Sequence, residues 1–223
     1  MPIDILKELN ADKFRKKFLK YTRKAFEMLP KTENPYILDI GCGSGIPTLE
    51  LAALSNGEIV GIDIDQFALN KLNSKIIKKT LSNRIKVYNR SIYDTKFPNE
   101  RFDLLWEEGV IHILNIKKCL TECNRILKLN GYLVSFETIK WVENNIETFP
   151  KYGFKLLNKF LLPEEAWWTE YYSPLEKKIK QLRIKYNGAK ELKELEGHEK
   201  DIAMLKKNPQ EFDCGFYIYQ KIE

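Results

Sequence analysis

Cysteine is sparse in this chain of 223 residues, with four copies, and histidine is scarcer still, with two. The thiols at 42, 119, 123 and 214 are too few for a disulfide scaffold of this length, and Cys119 and Cys123 stand four apart rather than as a C-x-x-C metal pair. Reduced, buried thiols and no metal site are expected. No apolar run approaches the ~20 residues that span a bilayer, and the opening "MPIDILKELNADKF" lacks the charged-then-apolar pattern of a signal peptide. A cytoplasmic protein with no membrane partner is expected. Internal repeats and low-complexity linkers are also missing.

What is there reads as a folded globular chain, since 43% of residues are hydrophobic and 30% charged. The length suits one sizeable α/β domain, or one domain with an inserted cap, and is tight for two. The net charge of +6 arises mainly from Lys7 to Lys31, nine basic residues against three acidic, and from Glu176 to Lys193, seven against two. Such clusters can meet nucleic acid or an anionic substrate, but as solvated helix faces they need neither. Nucleic acid is not expected as a partner.

Apolar or aromatic residues recur at Phe14, Phe18, Tyr21, Ala25 and Leu29, which predicts an amphipathic helix ended by Pro30. Beyond it the segments alternate. Strand "YILDI" leads to a helix over Pro47–Leu54, strand "EIVGID" to a helix over Asp65–Lys79, then come strands "RIKVYN" and "FDLLWEE", a helix over Ile116–Leu129 and strand "GYLVSFETI". Near-continuous apolar strands separated by helices predict a doubly wound, mostly parallel α/β sheet covered on both faces. Asn130-Gly131 reads as the stop of the helix before the fifth strand. After "GFKLLNKFLLP", a sixth strand, about 48 residues precede the last strand "FDCGFYIYQKI", too many for a hairpin loop, so a mostly helical insertion is expected. The organisation expected is an N-terminal helical lid over 1–31, a core over 32–162 and 211–223, and a helical cap over 163–210.

Gly41, Gly43 and Gly45 follow the first strand and open a helix, the switch region where doubly wound sheets bind ligands. "GCGSGIPT" lacks the spacing and the lysine of a triphosphate-binding loop, and its third glycine falls one place too early for a dinucleotide fingerprint. Acids flank it instead: Asp39 just before the first glycine and Asp63 at the end of the second strand. A carboxylate at that strand end suits a ribose diol, and Asp39 suits an ammonium or sulfonium. A nucleoside with a ribose, an amino group and no phosphate fits best.

The segments "ILDIGCGSG", "GIDID", "FDLLWEEGVIHIL" and "LKLNGYLVS", in order over about 36 to 136, resemble class I S-adenosylmethionine-dependent methyltransferases. The resemblance implies S-adenosyl-L-methionine as cofactor, S-adenosyl-L-homocysteine as product, and a seven-stranded sheet whose last strand is antiparallel. It implies that Gly41, Cys42 and Gly43 line the amino-acid end of the cofactor, that Asp63 holds the ribose hydroxyls and that Ile64 packs on adenine. Many relatives carry an acid for the adenine amino group where Ser91 stands; Ser91 with the Ile92 amide, or Asp94, is the substitute. Asp39 and Glu107 complete the candidate cofactor set.

Methyl transfer needs a nucleophile held against the methyl carbon, and a general base is optional. The fourth strand ends at Trp106-Glu107-Glu108-Gly109, without the N-P-P-Y-like tetrapeptide that suggests amino groups of bases or glutamine. Glu108 is a candidate to accept a proton from, or orient, an amine or hydroxyl, and equally to hold loop amides. His112, four residues on, is a candidate base or a structural residue. Trp167, Trp168, Tyr171 and Tyr172 form an aromatic patch that is either a core stripe or a cap over the substrate, with Tyr172 the catalytic candidate. The expected protein is a small-molecule methyltransferase, a monomer or homodimer, with its acceptor pocket between the N-terminal helix, the insertion and the strand ends. Methylation of RNA or protein, and a non-enzymatic cofactor-binding protein, are the alternatives, and a nicotinamide oxidoreductase comes last.

Overall fold

The computed structural model describes residues 4–222. They divide into two compact units, residues 21–161 with 214–222 and residues 4–20 with 162–213.

The chain opens with α1 (Ile5–Leu9), α2 (Ala11–Arg15), a 3-10 turn at Lys16–Phe18 and α3 (Leu19–Glu27). The larger unit then runs through β1 (Tyr36–Ile40), α4 (Ile46–Leu54), β2 (Glu58–Asp63), α5 (Gln66–Lys78), β3 (Ile85–Asn89), β4 (Phe102–Glu108), α6 (Ile116–Ile126), β5 (Leu127–Thr138), α7 (Ile139–Asn145), β6 (Phe154–Leu161) and β7 (Cys214–Lys221). The seven strands form one sheet in the order β3-β2-β1-β4-β5-β7-β6. Neighbours from β3 to β5 pair in parallel, and β7 runs antiparallel to both β5 and β6. This is the doubly wound sheet the alternation predicts. The order reverses between β1 and β4, so the crevice at their carboxyl ends receives the loops after β1, β2 and β4.

Local chemistry sets the helix starts. Asp65 caps α5 by accepting from the Phe67 and Ala68 amides at 2.8 and 3.1 Å, and Asn115 caps α6 through the Lys118 amide at 3.1 Å. Pro47 occupies the first turn of α4, where its missing N–H costs nothing. One expectation is corrected: α6 stops at Ile126 rather than Leu129, and β5 begins at once. Asn130 (φ +65°) and Gly131 are not a helix stop but part of a bulge, where Phe102 pairs with Leu127 and Leu104 with Tyr132.

One face of the sheet packs Leu38, Ile40, Val60, Ile62, Leu105 and Leu133 against Leu120 and Cys123 of α6. On α3, Thr22 and Ala25 are fully buried, and the Phe26 ring lies 6.4 Å from that of Trp106, itself fully buried. All four cysteines are free and buried.

The smaller unit adds a π-helical stretch at Trp167–Tyr172, α8 (Ser173–Lys185) and α9 (Glu196–Lys207). Ile5 and Leu9 join Leu175, Ile179, Leu182, Leu195 and Ile202 in its core, and Trp168, Tyr171 and Tyr172 pack against it. The division therefore differs from the expected boundary at residue 31: residues before Tyr21 bury their apolar face in the insertion's core, while Tyr21 onward belongs to the sheet unit. Among the described residues no helix is long and apolar enough to cross a membrane.

Candidate active site

The loop after β1 turns on three glycines in the left-handed region, Gly41 (φ +67°), Gly43 (φ +49°) and Gly45 (φ +81°). Two of them also have no room for a side chain. A Cβ at Gly41 would lie 2.3 Å from Cγ2 of Val110, and one at Gly45 would lie 2.1 Å from Cδ1 of Leu72. The glycine loop is thus clamped between the segment after β4 and helix α5.

Gly41 and Cys42 donate their amides to the Ile62 carbonyl at 2.8 and 3.0 Å, which ties the loop to β2. The Gly43 amide donates to Oδ2 of Asp63 at 2.8 Å, and the Asp65 amide donates to Oδ1 at 2.8 Å. One amide on each oxygen fixes the plane of the carboxylate, while each oxygen keeps a second lone pair for a ligand hydroxyl. Cys42 contributes main chain alone, because its thiol is turned inward against Gly61 and burial pushes its pKa up.

Asp39 is buried, with Oδ2 accepting from Oγ1 of Thr48 at 2.5 Å. Burial raises its pKa to about 8 against the Thr48 hydrogen bond, with Glu108 and Asp63 adding like charge. A lysine that the local sequence does not reveal also reaches the loop: Lys75 of α5 donates to the Ser44 carbonyl at 2.8 Å.

The paired acids at the end of β4 point to opposite faces, as neighbours on a strand must. Glu108 shares the face of Trp106 and α3, where Oε1 accepts from Oγ1 of Thr22 at 2.8 Å and from Nε1 of Trp106 at 3.0 Å. Glu107 is fully buried on the other face. Its Oε1 accepts from the Ser135 hydroxyl, and its Oε2 from the amides of Val110 and Ile111 at 3.1 and 3.4 Å. Burial first, then the neighbouring Glu137, raise its pKa well above the usual carboxylate range, against the hydrogen bonds from Ser135, Val110 and Ile111. The candidate assigned to cofactor contact instead braces the turn after β4.

That turn presents His112. Its Nδ1 lies 3.0 Å from Oε2 and 3.2 Å from Oε1 of Glu137 at the end of β5, and its amide donates to Oε1 at 3.2 Å. The hydrogen bond to Glu137 raises the imidazole pKa and outweighs desolvation. Glu137 is buried, whereas the His112 side chain is 42% exposed.

The remaining candidates are placed as follows. Ile64 is exposed at the mouth beyond β2, Ile92 is buried, and Oγ of Ser91 accepts from the Tyr93 amide at 3.2 Å. Asp94 pairs with Lys96 at 2.7 Å. Tyr172 belongs to the smaller unit, where its ring meets Tyr171 and Phe212 edge-on and burial raises its hydroxyl pKa. Thr22, Thr48, Ser135 and Glu137 escape the sequence reading. The last two carry a signal nonetheless, as polar residues two apart in an otherwise apolar strand.

Comparison with known proteins places this architecture. Residues 38–135 match the family described as Methyltransferase domain. The sterol 24-C-methyltransferase of Pneumocystis carinii is 29% identical over 119 residues, 52% of this chain and 32% of that protein. The chain spans between 27 and 56% of the length of the first curated relatives it matches. Among solved structures, the [4+2]-cyclase SpnF superposes with a TM-score of 0.74 at 17% identity, covering 91% of this chain and 80% of that one. The phosphoethanolamine N-methyltransferase 2 of Haemonchus contortus, solved with S-adenosyl-L-methionine, gives 0.72 at 16% identity, covering 93% and 52%. The matched segment, residues 38–135, holds the glycine loop, Asp63 and both acids of β4, so the part of the chain that resembles a methyltransferase domain is the part that carries the candidate site.

Proposed function

We propose that the protein transfers a methyl group from S-adenosylmethionine to a small-molecule acceptor. The observation that carries this reading is the Asp63 carboxylate, fixed by the Gly43 and Asp65 amides beside a loop without a lysine of its own. These groups fit the cofactor by the chemistry of the donor set. Asp63 has acceptor capacity for two ribose hydroxyls, and Asp39 with Glu108 supplies negative charge for a cationic amino-acid end. When bound, the cofactor supplies an activated methyl on a sulfonium. The chain's part is to hold the nucleoside and to orient an acceptor through Glu108.

A small acceptor is supported by the names of relatives, a sterol and a phosphoethanolamine enzyme. Some residues of the basic stretches are paired with acids, Lys20 with Glu170, Lys180 with Glu176, Arg183 with Glu199 and Lys185 with Glu8. The fold alone does not dictate the chemistry, since SpnF is named for a cyclisation. Calorimetric binding of S-adenosylmethionine and its demethylated product, with no binding of a nicotinamide dinucleotide, supports the cofactor assignment. Tight binding without methyl transfer to any member of a small-molecule library would leave the non-enzymatic reading instead.

A further inference from the structure

Two of the acids around the glycine loop fall on one cross-strand row. Ile40 pairs in register with Ile62 of β2 and with Glu107 of β4, so the next step along the three strands sets Asp63, Gly41 and Glu108 side by side. The Gly41 amide, donated to the Ile62 carbonyl at 2.8 Å, carries the pairing one step past β1. Neighbours on such a row share a face and stand ~4.8 Å apart, which leaves Asp63 and Glu108 about 10 Å from each other with only a glycine between them. Asp39 and Trp106 pair one pleat earlier on the same face, and the like charges of Glu108 and Asp63 help to raise the Asp39 pKa. Thr22 reaches this row from α3. Its Oγ1 donates to Oε1 of Glu108 at 2.8 Å, and Nε1 of Trp106 donates to the same oxygen at 3.0 Å. We propose that Thr22 is a positioning residue, which aims the Glu108 carboxylate along the row so that the site favours the positively charged S-adenosylmethionine over its uncharged-sulfur product.

This role rests on the methyltransferase reading and deepens it. A ligand that keeps its ribose on Asp63 and extends along the row passes Gly41 and meets Glu108, and in S-adenosylmethionine the sulfonium is one carbon from the ribose. Loss of the methyl removes the charge at sulfur and leaves the ribose and the amino-acid end unchanged. A carboxylate beside the sulfur therefore separates cofactor from product by charge. Its aim matters, because Coulomb energy falls with distance and a glutamate can swing its carboxylate away through several side-chain torsions. Both donors that hold it are themselves fixed. Thr22 and Trp106 are fully buried, and the indole lies 6.4 Å from the Phe26 ring of α3 and 6.0 Å from the Phe216 ring of β7. Two donors on Oε1 engage both of its lone pairs and set the plane of the carboxylate. Helix α3 has other anchors on the sheet unit, the buried Ala25 and the pairing of Arg23 with Glu50 of α4, so the Thr22 hydroxyl is not its sole tie. Thr22 also lies outside the segment that matches a methyltransferase domain, so this donor comes from the chain's own N-terminal part.

The experiment is calorimetric binding of S-adenosylmethionine and of S-adenosylhomocysteine to the full chain at one pH, read as the ratio of the two affinities. Changes at the ribose and the amino-acid end are common to both ligands and cancel in that ratio. Glu108→Gln removes the charge and should lower the preference for S-adenosylmethionine by about threefold or more. Thr22→Val keeps the shape and removes the donor, so it should lower the ratio by about twofold or more, whereas Thr22→Ser keeps the hydroxyl and should restore it. The double variant Thr22→Val with Glu108→Gln should match Glu108→Gln alone, since no charge is left to aim. An unchanged ratio in Glu108→Gln or in Thr22→Val overturns the proposal. So does a valine effect of equal size with and without Glu108, which would not pass through that carboxylate. A valine variant that loses stability in urea but keeps the wild-type ratio makes Thr22 a tie for α3 and nothing more. Product affinity within threefold of wild type shows that a variant is folded; if the valine variant fails this, Thr22→Ala is read by the same criteria, and failure of both marks Thr22 as structural and ends the proposal. Should wild type bind neither ligand, the methyltransferase reading fails separately.

Discussion

Affinity for a cationic cofactor should climb with pH, because Asp39 must ionise to meet it. Its carboxyl is pushed up to about 8 by burial, whereas an ordinary aspartate titrates near ~4. Below pH 8 the free protein holds this group largely neutral, so a ligand that prefers the anion expels one proton on binding. One proton per event sets a ceiling of about tenfold in affinity per pH unit, or about 100-fold and ~2.7 kcal/mol between pH 6 and 8, levelling above. Stability runs the other way. The folded pKa is raised above the unfolded one, so the unfolded chain ionises first, and Asp39 costs the ligand-free fold increasing stability from about pH 4 to 8, then no more. Asp39→Asn keeps an acceptor for Thr48 and removes both slopes. Calorimetry in two buffers of different ionisation enthalpy counts the proton, and urea melts at pH 5 and 8 read the stability. Titrations of the ligand and of other side chains are common to both proteins and cancel in the difference. Identical pH slopes in wild type and Asp39→Asn would refute the assignment of Asp39 to the cation.

Asp63→Ala should weaken S-adenosylhomocysteine binding at least tenfold by calorimetry, since a charge-assisted hydrogen bond contributes about 1.5 to 3 kcal/mol; an unchanged Kd removes Asp63 from the ribose site. Glu108→Gln should lower turnover more than cofactor affinity, and equal activity with the true acceptor would take Glu108 off the reacting face. Gly45→Ala should cost about 1 to 3 kcal/mol in urea melts, because the residue sits at φ +81° and its new Cβ would meet Leu72; wild-type stability would mean that the turn has an alternative path.

The strands, the crossover helices and the ligand end of the sheet were legible because each rests on local chemistry: apolar runs, capping acids such as Asp65, and glycines where the backbone must turn left-handed. The place of Asp63 at a strand end follows from the same pattern, and there its carboxylate accepts the Gly43 amide of the neighbouring loop. What could not be read locally was set by contacts between distant segments. Lys75 reaches Ser44 across 31 positions, Thr22 reaches Glu108 across 86, and the unit boundary falls after Lys20 because Ile5 and Leu9 find their partners beyond residue 170.

Glu107 and Glu108 show how much of this ambiguity strand phase can remove. As tandem acids they are interchangeable in composition, yet the sheet separates them, and Trp106 decides which is which. A fully buried indole at position 106 sends Glu108 to the same face and Glu107 to the other. Parallel pairing then puts Glu107 beside Ser135 and leaves Glu137 one step further along, where a buried carboxylate needs a cationic or donor partner. Of the residues in the short turn that follows β4, Gly109 to Leu114, His112 alone has a side chain able to supply one. The pairing of His112 with Glu137 thus follows from period-two phase, register and the cost of an unpartnered buried charge, and the polar pair in "VSFET" is the mark of it in the sequence.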